Sequence, residues 1–335
     1  MKLSVYSHPS TIVLVDDSPT FLRSLGYHLG SQPCRSFSDT TEALVWLHAS
    51  PRRTGLPLRV SFDMHGQQAD QRNIAIDVER IHRIASQQQR FAIPSVLVVD
   101  YSMPQMSGID FFKAVQHLPC KKILFTGTGD EKIAVDAFNR GLIDRYIRKN
   151  DRSALDLLER EIHVLQQAFF LDRSETLRDM LALHDYGFLR CPQLAAVVRE
   201  LYEMRGFVEH YVFPKPAGIM FCERNGKATL MIIETADSLQ AQYEMARDSG
   251  APVSLLQALQ DKRIVPFFSQ IPGNDGMYSA EVGERWHRYC NAPQICRGAE
   301  TYYWALFDVP PHLLDSPVFA FERHGKDAAP QPSMA

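Results

Sequence analysis

Acidic and basic side chains stand where the apolar runs of the N-terminal half end. Asp16 and Asp17 follow TIVLV, Asp100 follows VLVV, Thr126 closes ILFT, and Lys149 follows YIR. Three carboxylates held together would resist ionisation unless a cation lay among them, and oxygen ligands of this kind suit Mg²⁺. A lysine and a threonine beside them could hold the oxygens of a bound anion. These residue types predict phosphoryl transfer to an aspartate, with Asp100 as the nucleophile.

Alternating strand and helix patterns surround these residues. Apolar residues at helical spacing follow each buried run in the N-terminal half. Ser18 and Pro19 are typical of the start of the first helix, and Gly30 is typical of its end. Such alternation predicts an α/β fold, a (βα)5 doubly wound parallel sheet whose ligands collect at the carboxyl ends of the strands. The polar positions therefore fall together at one edge of the predicted sheet.

Residues 11–150 carry the motif DYSMPQMSG after the third strand and resemble the CheY-like receiver domain of bacterial two-component response regulators. The resemblance implies that a sensor histidine kinase or a phosphotransfer protein phosphorylates Asp100. It also implies the Mg²⁺ ligands. Asp17 would be a direct ligand, Asp16 a mainly water-mediated one, and the backbone carbonyl of Ser102 another.

The same resemblance assigns the switch residues. Thr126 would hydrogen-bond the phosphoryl group, Lys149 would pair with it, and Tyr146 matches the aromatic residue that changes position when Thr126 moves. One position departs from the family, because Asn150 stands where receivers usually have proline after a cis peptide bond. A non-proline cis bond costs about 2.5–4 kcal/mol, so we expect this loop to be either trans or strained.

A long insertion precedes the strand that ends at Asp100. Residues 51–93 occupy a place where a receiver normally has only a few residues. The stretch LRVSF is typical of a strand. Apolar residues at helical spacing predict an amphipathic helix after it: Ile74, Val78, Ile81 and Ile84. Two interpretations stay open for this helix. It lies back on the receiver, or it docks a partner or the output domain.

An apolar stripe runs along residues 151–185, after the fifth strand. Its apolar residues alternate at spacings of three and four over about two heptads. That is fewer than the three or four heptads that make a coiled coil convincing. The segment is therefore either receiver core plus a connector, or a helix that forms a homodimer. The stripe consists of five apolar residues: Leu155, Leu158, Ile162, Leu165 and Phe169.

Residues 186–325 predict a separate α+β output domain with an antiparallel sheet. Asn225-Gly226 between two apolar runs predicts a type I′ hairpin. Helices are predicted for PQLAAVVRELYEMRG, DSLQAQYEMARDSG and PVSLLQALQDKR, and strands for IVPFF and TYYWALFDV. Residues 326–335 have the composition of a disordered tail.

The C-terminal half shows no convincing catalytic motif, so an enzyme is not the first expectation. Glu223, Glu234 and Asp308 border predicted strands and could meet at one edge to hold a metal, although scattered acidic residues are more often solvated strand ends. The segment HRYCNAPQIC fits no zinc spacing. The hypotheses for the output are therefore a protein-interaction or dimerisation module, then a metal-dependent enzyme acting on nucleotides or nucleic acid, and third a DNA-binding regulator.

The composition is that of an ordinary globular protein. The 335 residues are 45% hydrophobic and 22% charged, enough for two domains, and a net charge of −3 does not favour nucleic-acid phosphates. The first residues lack the apolar run of a secretion signal, and we expect a cytoplasmic, membrane-free protein with reduced cysteines. The layout of receiver, insertion and non-standard output domain is similar to response regulators of α-hydroxyketone quorum-sensing systems.

Overall fold

The computed structural model describes residues 2–30, 32–50, 58–62, 72–127 and 131–327. The chain divides into two compact units. One, the receiver-like unit, comprises residues 8–54, 88–173 and 324–335. The other, the C-terminal unit, comprises residues 1–7, 55–87 and 174–323.

The strands of the described residues follow in chain order: β1 (Tyr6–Ser7), β2 (Thr11–Val15), β3 (Cys34–Phe37), β4 (Leu58–Phe62), β5 (Arg72–Ile76), β6 (Pro94–Val99), β7 (Lys121–Thr126), β8 (Arg145–Arg148), β9 (Phe207–Phe213), β10 (Gly218–Glu223), β11 (Ala228–Glu234), β12 (Val265–Pro266), β13 (Cys290–Asn291), β14 (Gln294–Arg297) and β15 (Thr301–Asp308). The helices follow likewise: α1 (Pro19–His28), α2 (Thr40–Ala49), α3 (Glu79–His82), α4 (Gly108–Ala114), α5 (Glu131–Asn139), α6 (Ala154–Arg173), α7 (Glu175–Leu181), α8 (Pro192–Arg205), α9 (Ala236–Asp248), α10 (Val253–Gln260) and α11 (Phe321–Asp327).

A five-stranded parallel sheet forms the receiver-like unit, in the order β3-β2-β6-β7-β8. β2 and β6 are buried along their whole length, as expected of strands with helices on both faces. The strand order reverses at β2 and β6, and in open α/β sheets such a switch point is where ligands bind. The predicted (βα)5 doubly wound sheet is confirmed.

Two helical layers enclose this sheet. Val13 and Val15 of β2 pack with α2, α4 and α5, whereas Ile12 and Leu14 pack with α1 and α6. Successive side chains of a strand point to opposite faces, so a single apolar run supplies both cores. Burying each of these side chains contributes about 1.5–3 kcal/mol, which is why the runs contain no polar residue before their ends.

The apolar stripe after the fifth strand belongs to this core. Leu158 and Ile162 are fully buried in α6, and Leu165 and Phe169 are at most 3% exposed. The structure therefore agrees with the interpretation of the stripe as receiver core, and these side chains are not available for a heptad interface. α6 ends at Arg173, and α7 begins a separate helix after Ser174 instead of continuing the first one.

A six-stranded antiparallel sheet forms the C-terminal unit, in the order β1-β9-β10-β11-β15-β14. β10 and β11 form a hairpin between the two apolar runs, as predicted. The predicted type I′ turn is wrong, because that turn needs positive φ at both central residues. Gly226 has φ 88°, but Lys262 is the only non-glycine residue of the described chain with a positive φ, so Asn225 has none.

α8 ends at Gly206 as predicted. Of the predicted strand IVPFF only Val265–Pro266 is a strand, and a 3₁₀ turn follows at Phe268–Gln270. The antiparallel α+β architecture is confirmed.

The insertion does not form one long helix. LRVSF is a strand as predicted, but it pairs antiparallel with β5, so Ile74 lies in a strand and the helical interpretation is wrong there. Among the described residues of the insertion, Glu79–His82 alone forms an α-helix, and it packs on β9, where His82 contacts Phe213. The structure therefore favours docking on the output sheet over packing on the receiver.

The predicted disordered tail, residues 326–335, lies outside the described residues apart from the last two residues of α11. Within the part of the chain that the structure describes, no helix is both long and apolar enough to cross a membrane.

Candidate functional site

The polar residues predicted at the strand ends stand at the carboxyl edge of the parallel sheet. Asp16 follows β2, Asp100 follows β6, Thr126 is the last residue of β7, and Lys149 follows β8. Backbone hydrogen bonds continue past the strand ends: the Asp100 N–H donates to the Val15 carbonyl at 2.9 Å, and the Lys149 N–H to the Thr126 carbonyl at 2.9 Å. These bonds fix the backbone from which the polar side chains project.

Lys149 joins the two buried carboxylates. Its Nζ lies 2.5 Å from Asp16 Oδ2 and 2.8 Å from Asp100 Oδ1. Asp16 and Asp100 are only 5% and 6% exposed. The Lys149 ammonium group therefore supplies positive charge to both buried carboxylates.

Backbone N–H groups orient the other carboxylate oxygens. The Ser18 N–H donates to Asp16 Oδ1 at 2.9 Å, and the Ser102 N–H donates to Asp100 Oδ2 at 3.1 Å. The ring of Phe21 lies 4.7 Å from Lys149 Nζ, close enough for a cation–π contact. Each charged group is thus held by partners on several elements, which pre-organises the edge for a ligand.

Gly108 explains the shape of the loop DYSMPQMSG. A Cβ at this position would lie 2.2 Å from the Asp100 carbonyl oxygen, so only glycine lets the chain return so close to the site. Ser107 caps α4 by accepting a hydrogen bond from the Asp110 N–H at 3.2 Å. The loop therefore leaves the sheet at Asp100 and enters α4 beside it.

The remaining predicted site residues differ in exposure. Asp17 is exposed, whereas Thr126 is 1% exposed. Tyr146 is partly buried and packs against the core under α2, α4 and α5. Asn150 stands where the family has proline. Its side-chain amide donates a hydrogen bond to the Gly127 carbonyl at 2.9 Å.

The loop at Asn150 is trans. Across the described residues the only cis peptide bond is Lys215–Pro216, which leaves the Lys149–Asn150 bond trans. This settles the alternative left open by the sequence. The amide of Asn150 ties the β8 loop to the β7 loop and holds Lys149 in place from its carboxyl side.

The donor set suits a hard divalent cation. Asp16, Asp17 and Ser102 offer only oxygen atoms, the ligands that Mg²⁺ prefers. Over the described part of the chain, however, no three histidine, cysteine, aspartate or glutamate side chains converge as a metal cage. The positive charge between Asp16 and Asp100 is the Lys149 ammonium group.

The acidic residues of the C-terminal unit are not brought together. Glu223 ends β10 and Asp308 lies opposite Thr229 at the hairpin end of the sheet, whereas Glu234 lies opposite Tyr303 at the other end of β11. Burial raises the pKa of Glu234, which opposes its use as a charged metal ligand. Asp308 pairs with a lysine from the hairpin at 3.0 Å. The sheet register therefore separates Glu234 from the other two predicted ligands.

Two contributors to the site were not predicted as site residues. Phe21 lies in α1, and nothing in the sequence indicates that Lys149 lies over its ring. Gly108 carried a usable signal, since a glycine shortly after a strand-ending aspartate often marks a close approach of the backbone. Ser18 was predicted as the cap of α1, and its N–H also binds Asp16.

The parallel sheet, with carboxylates and a lysine at one edge, has the architecture of a response regulator receiver domain. No family model and no curated protein matches the chain. It is similar to the solved structure of the Legionella pneumophila response regulator LqsR, with 26% identity and a TM-score of 0.78. That likeness covers 98% of this chain and 97% of LqsR, so it includes the C-terminal half and supports the class.

Separate receiver domains also match the chain. A response regulator receiver domain from Clostridium thermocellum is 17% identical over 50% of this chain and 98% of its own, with a TM-score of 0.31. A CheY-like receiver domain from Methanospirillum hungatei is 20% identical over 48% of this chain and 96% of its own, with a TM-score of 0.32. TM-scores this low add nothing to the assignment.

Proposed function

We propose that this response regulator accepts a phosphoryl group on Asp100 from a sensor histidine kinase or a phosphotransfer protein. One observation carries the proposal: Lys149 Nζ contacts Asp16 and Asp100 together at the switch point of the parallel sheet. An ammonium group in that place can pair with the Asp100 carboxylate before the transfer and with the phosphoryl oxygens after it.

The residues of the edge divide the work of the transfer. Asp100 Oδ2 is held by the Ser102 N–H, and Oδ1 faces Lys149, so an oxygen of Asp100 is directed towards an incoming phosphorus atom. Asp16, Asp17 and the Ser102 carbonyl would hold Mg²⁺, which neutralises phosphoryl oxygens when bound. Thr126 would then hydrogen-bond the phosphoryl group.

Tyr146 and Thr126 supply the proposed switch. Thr126 ends β7, and Tyr146 lies on the neighbouring strand β8, opposite Leu124. Movement of Thr126 towards a phosphoryl group would let Tyr146 change its packing against the core that it contacts. A two-state shift of this kind needs a difference in ligand affinity between its states, and the bond to Asp100 supplies it.

The test is the intact mass of the purified protein after incubation with a small phosphodonor and Mg²⁺. We expect the mass of one phosphoryl group on the wild type and none on Asp100→Asn. Asp110→Asn is the matched control, since Asp110 is an exposed aspartate at the start of α4 near the same loop, and it should leave the adduct unchanged. An adduct that persists in Asp100→Asn, or that forms equally without Mg²⁺, would contradict the proposal.

For the C-terminal unit we propose a protein-interaction module. The register of β11 keeps Glu234 away from Glu223 and Asp308, so the metal-dependent enzyme loses its ligand set. The net charge of −3 gives no support to direct DNA binding. Alanine substitution of these acidic residues should change no activity and no metal binding, and a loss of either would favour the enzyme. The layout shared with α-hydroxyketone systems makes a quorum-sensing kinase the first donor to test.

A further inference from the structure

Two cysteines that are far apart in the sequence meet inside the C-terminal unit. Cys191 precedes α8 and Cys296 lies in β14, and this helix and strand pack together. Their side chains are 8% and 5% exposed. The Cys191 thiol is a side-chain hydrogen-bond partner of Cys296. Neither thiol has a part in the phosphoryl chemistry proposed for Asp100.

The sulfur atoms lie just below the surface. A Cβ at Gly298 would lie 3.0 Å from Cys191 Sγ and 3.0 Å from Gln193 Oε1, so the glycine leaves the space above the thiol open. The Cys191 thiol donates to Gln193 Oε1 at 3.5 Å. Gln193 and Gly298 are themselves exposed. The Cys191 sulfur therefore lies next to residues that are themselves at the surface.

The two thiols differ in their surroundings. Cys191 occupies the N-cap position of α8, beside the exposed Gln193 and Gly298. Burial and the neighbouring Cys191 raise the pKa of the Cys296 thiol. We therefore assign Cys191 as the thiol that attacks and Cys296 as the thiol that resolves the product.

We propose that Cys191 and Cys296 form a redox-active pair that hydrogen peroxide closes to a disulfide. The Cys191 thiolate attacks one peroxide oxygen, the O–O bond breaks, and the leaving hydroxide takes up a proton to become water. The Cys296 sulfur then attacks the sulfenic acid on Cys191, the S–O bond breaks, and a second water leaves with the Cys296 proton. The thiols lose two electrons, and the peroxide gains them.

The closed pair would tie the start of α8 to β14, the strand at one edge of the antiparallel sheet. The pair therefore defines a modification site in the C-terminal unit, separate from the aspartate edge. A reductant such as dithiothreitol would reopen it, since thiol–disulfide exchange is reversible.

The experiment treats the reduced full-length protein with hydrogen peroxide, then counts free thiols after denaturation and maps the linked peptides. We expect the wild type to lose two of its six thiols, with one Cys191–Cys296 link that dithiothreitol reverses. Cys191→Ser and Cys296→Ala should lose none to a disulfide. Serine is a favoured N-cap residue, so Cys191→Ser is expected to fold.

Cys290→Ser is the matched control, because Cys290 is a partly buried thiol of the same unit and should not alter the loss of two thiols. A sulfenic-acid reagent should label Cys191 in the Cys296→Ala variant and should not label Cys296 in Cys191→Ser. A disulfide-linked loss of two thiols in either single variant, as in the wild type, or a peptide map that links other cysteines, would overturn the proposal.

Discussion

At the scale of single residues, Lys149 sets the charge balance of the site. Replacing it with methionine would leave Asp16 and Asp100 buried without a counter-charge. We expect Lys149→Met to lower the free energy of unfolding by roughly 3 kcal/mol, because removal of one partner strands a buried charge. Urea unfolding at neutral pH measures the loss. Added Mg²⁺ should restore part of it if the cation binds the same carboxylates.

Lys121 is a matched control for Lys149. Both side chains are 18% exposed, but Lys121 pairs with Asp172, which is 66% exposed. An exposed partner can return to water, so Lys121→Met should cost less than about 1 kcal/mol. Equal losses in the two variants would mean that the aspartate edge is not a buried charged site.

His210 gives the C-terminal unit a pH dependence. Its Nδ1 lies 2.7 Å from the Tyr202 hydroxyl, and burial lowers its pKa to about 4. Between this value and the ordinary value near 6.5 the unfolded chain binds a proton that the folded chain does not, so stability falls as pH falls. The loss for one such histidine is roughly 3 kcal/mol. His82, whose pKa burial also lowers to about 4, adds a second contribution of the same sign.

His210→Gln should remove about half of this pH dependence. The free energy of unfolding of the C-terminal unit, followed from pH 7 to pH 4, tests it. His163→Gln, on the exposed face of α6, should leave the slope unchanged. A slope that stays the same in His210→Gln would show that the folded histidine takes up its proton near the ordinary pKa.

Residue types at strand ends could be predicted from the sequence because each apolar run ends at a polar residue. The contact between Cys191 and Cys296 could not, since nothing local relates the start of α8 to β14. The separation of Glu234 from Asp308 depends on sheet register, which the order of residues along the chain does not state.

At the scale of elements, the apolar stripe of α6 fits two interpretations from its spacing alone, receiver core or a dimer interface. Leu158 is fully buried in the receiver-like core, so Leu158→Ala should destabilise the protein by about 2–5 kcal/mol and leave its oligomeric state unchanged. Chemical denaturation and analytical ultracentrifugation measure the two effects. Val164→Ala on the same helix is the control, because Val164 is 47% exposed. If Leu158→Ala kept its stability and changed a dimer to a monomer, the interpretation of α6 as a dimerisation helix would be supported instead.

The insertion shows why the helix prediction failed in part. Ile74 and Ile76 fit a strand period of two as well as a helix period, and Arg72–Ile76 pairs with Leu58–Phe62. Glu79–His82 is helical and packs on β9, and the buried Ile84 and Ala85 follow it in a 3₁₀ turn. The pairing of Arg72–Ile76 with Leu58–Phe62 makes this stretch a strand, and local spacing carries no information about that partner.

At the scale of the whole molecule, the C-terminal unit gathers three separate stretches of chain. Tyr6 of β1 pairs with Tyr211 of β9, and the Val5 N–H donates to the Ser174 hydroxyl at 3.2 Å. Residues 55–87 join the same unit. The sequence predicts an output domain at 186–325, because composition and turn residues such as glycine and proline indicate only contiguous segments. We therefore expect this domain to be discontinuous in the chain.

A fragment of residues 186–327 tests that expectation. It lacks β1 and α3, so one edge of β9 loses its hydrogen-bond partners and Phe213 loses its cover from His82. We expect no cooperative thermal unfolding from the fragment, whereas the same unit within the intact chain should give a cooperative transition. In the intact chain, Ile81→Ala should raise hydrogen exchange in β9 and leave β2 unchanged, since Ile81 is fully buried in the C-terminal unit. Ile133→Ala, at a position 40% exposed, should change neither strand. A fragment that melts at the same temperature as the intact chain would establish instead that residues 186–327 fold without the N-terminal strand and the insertion.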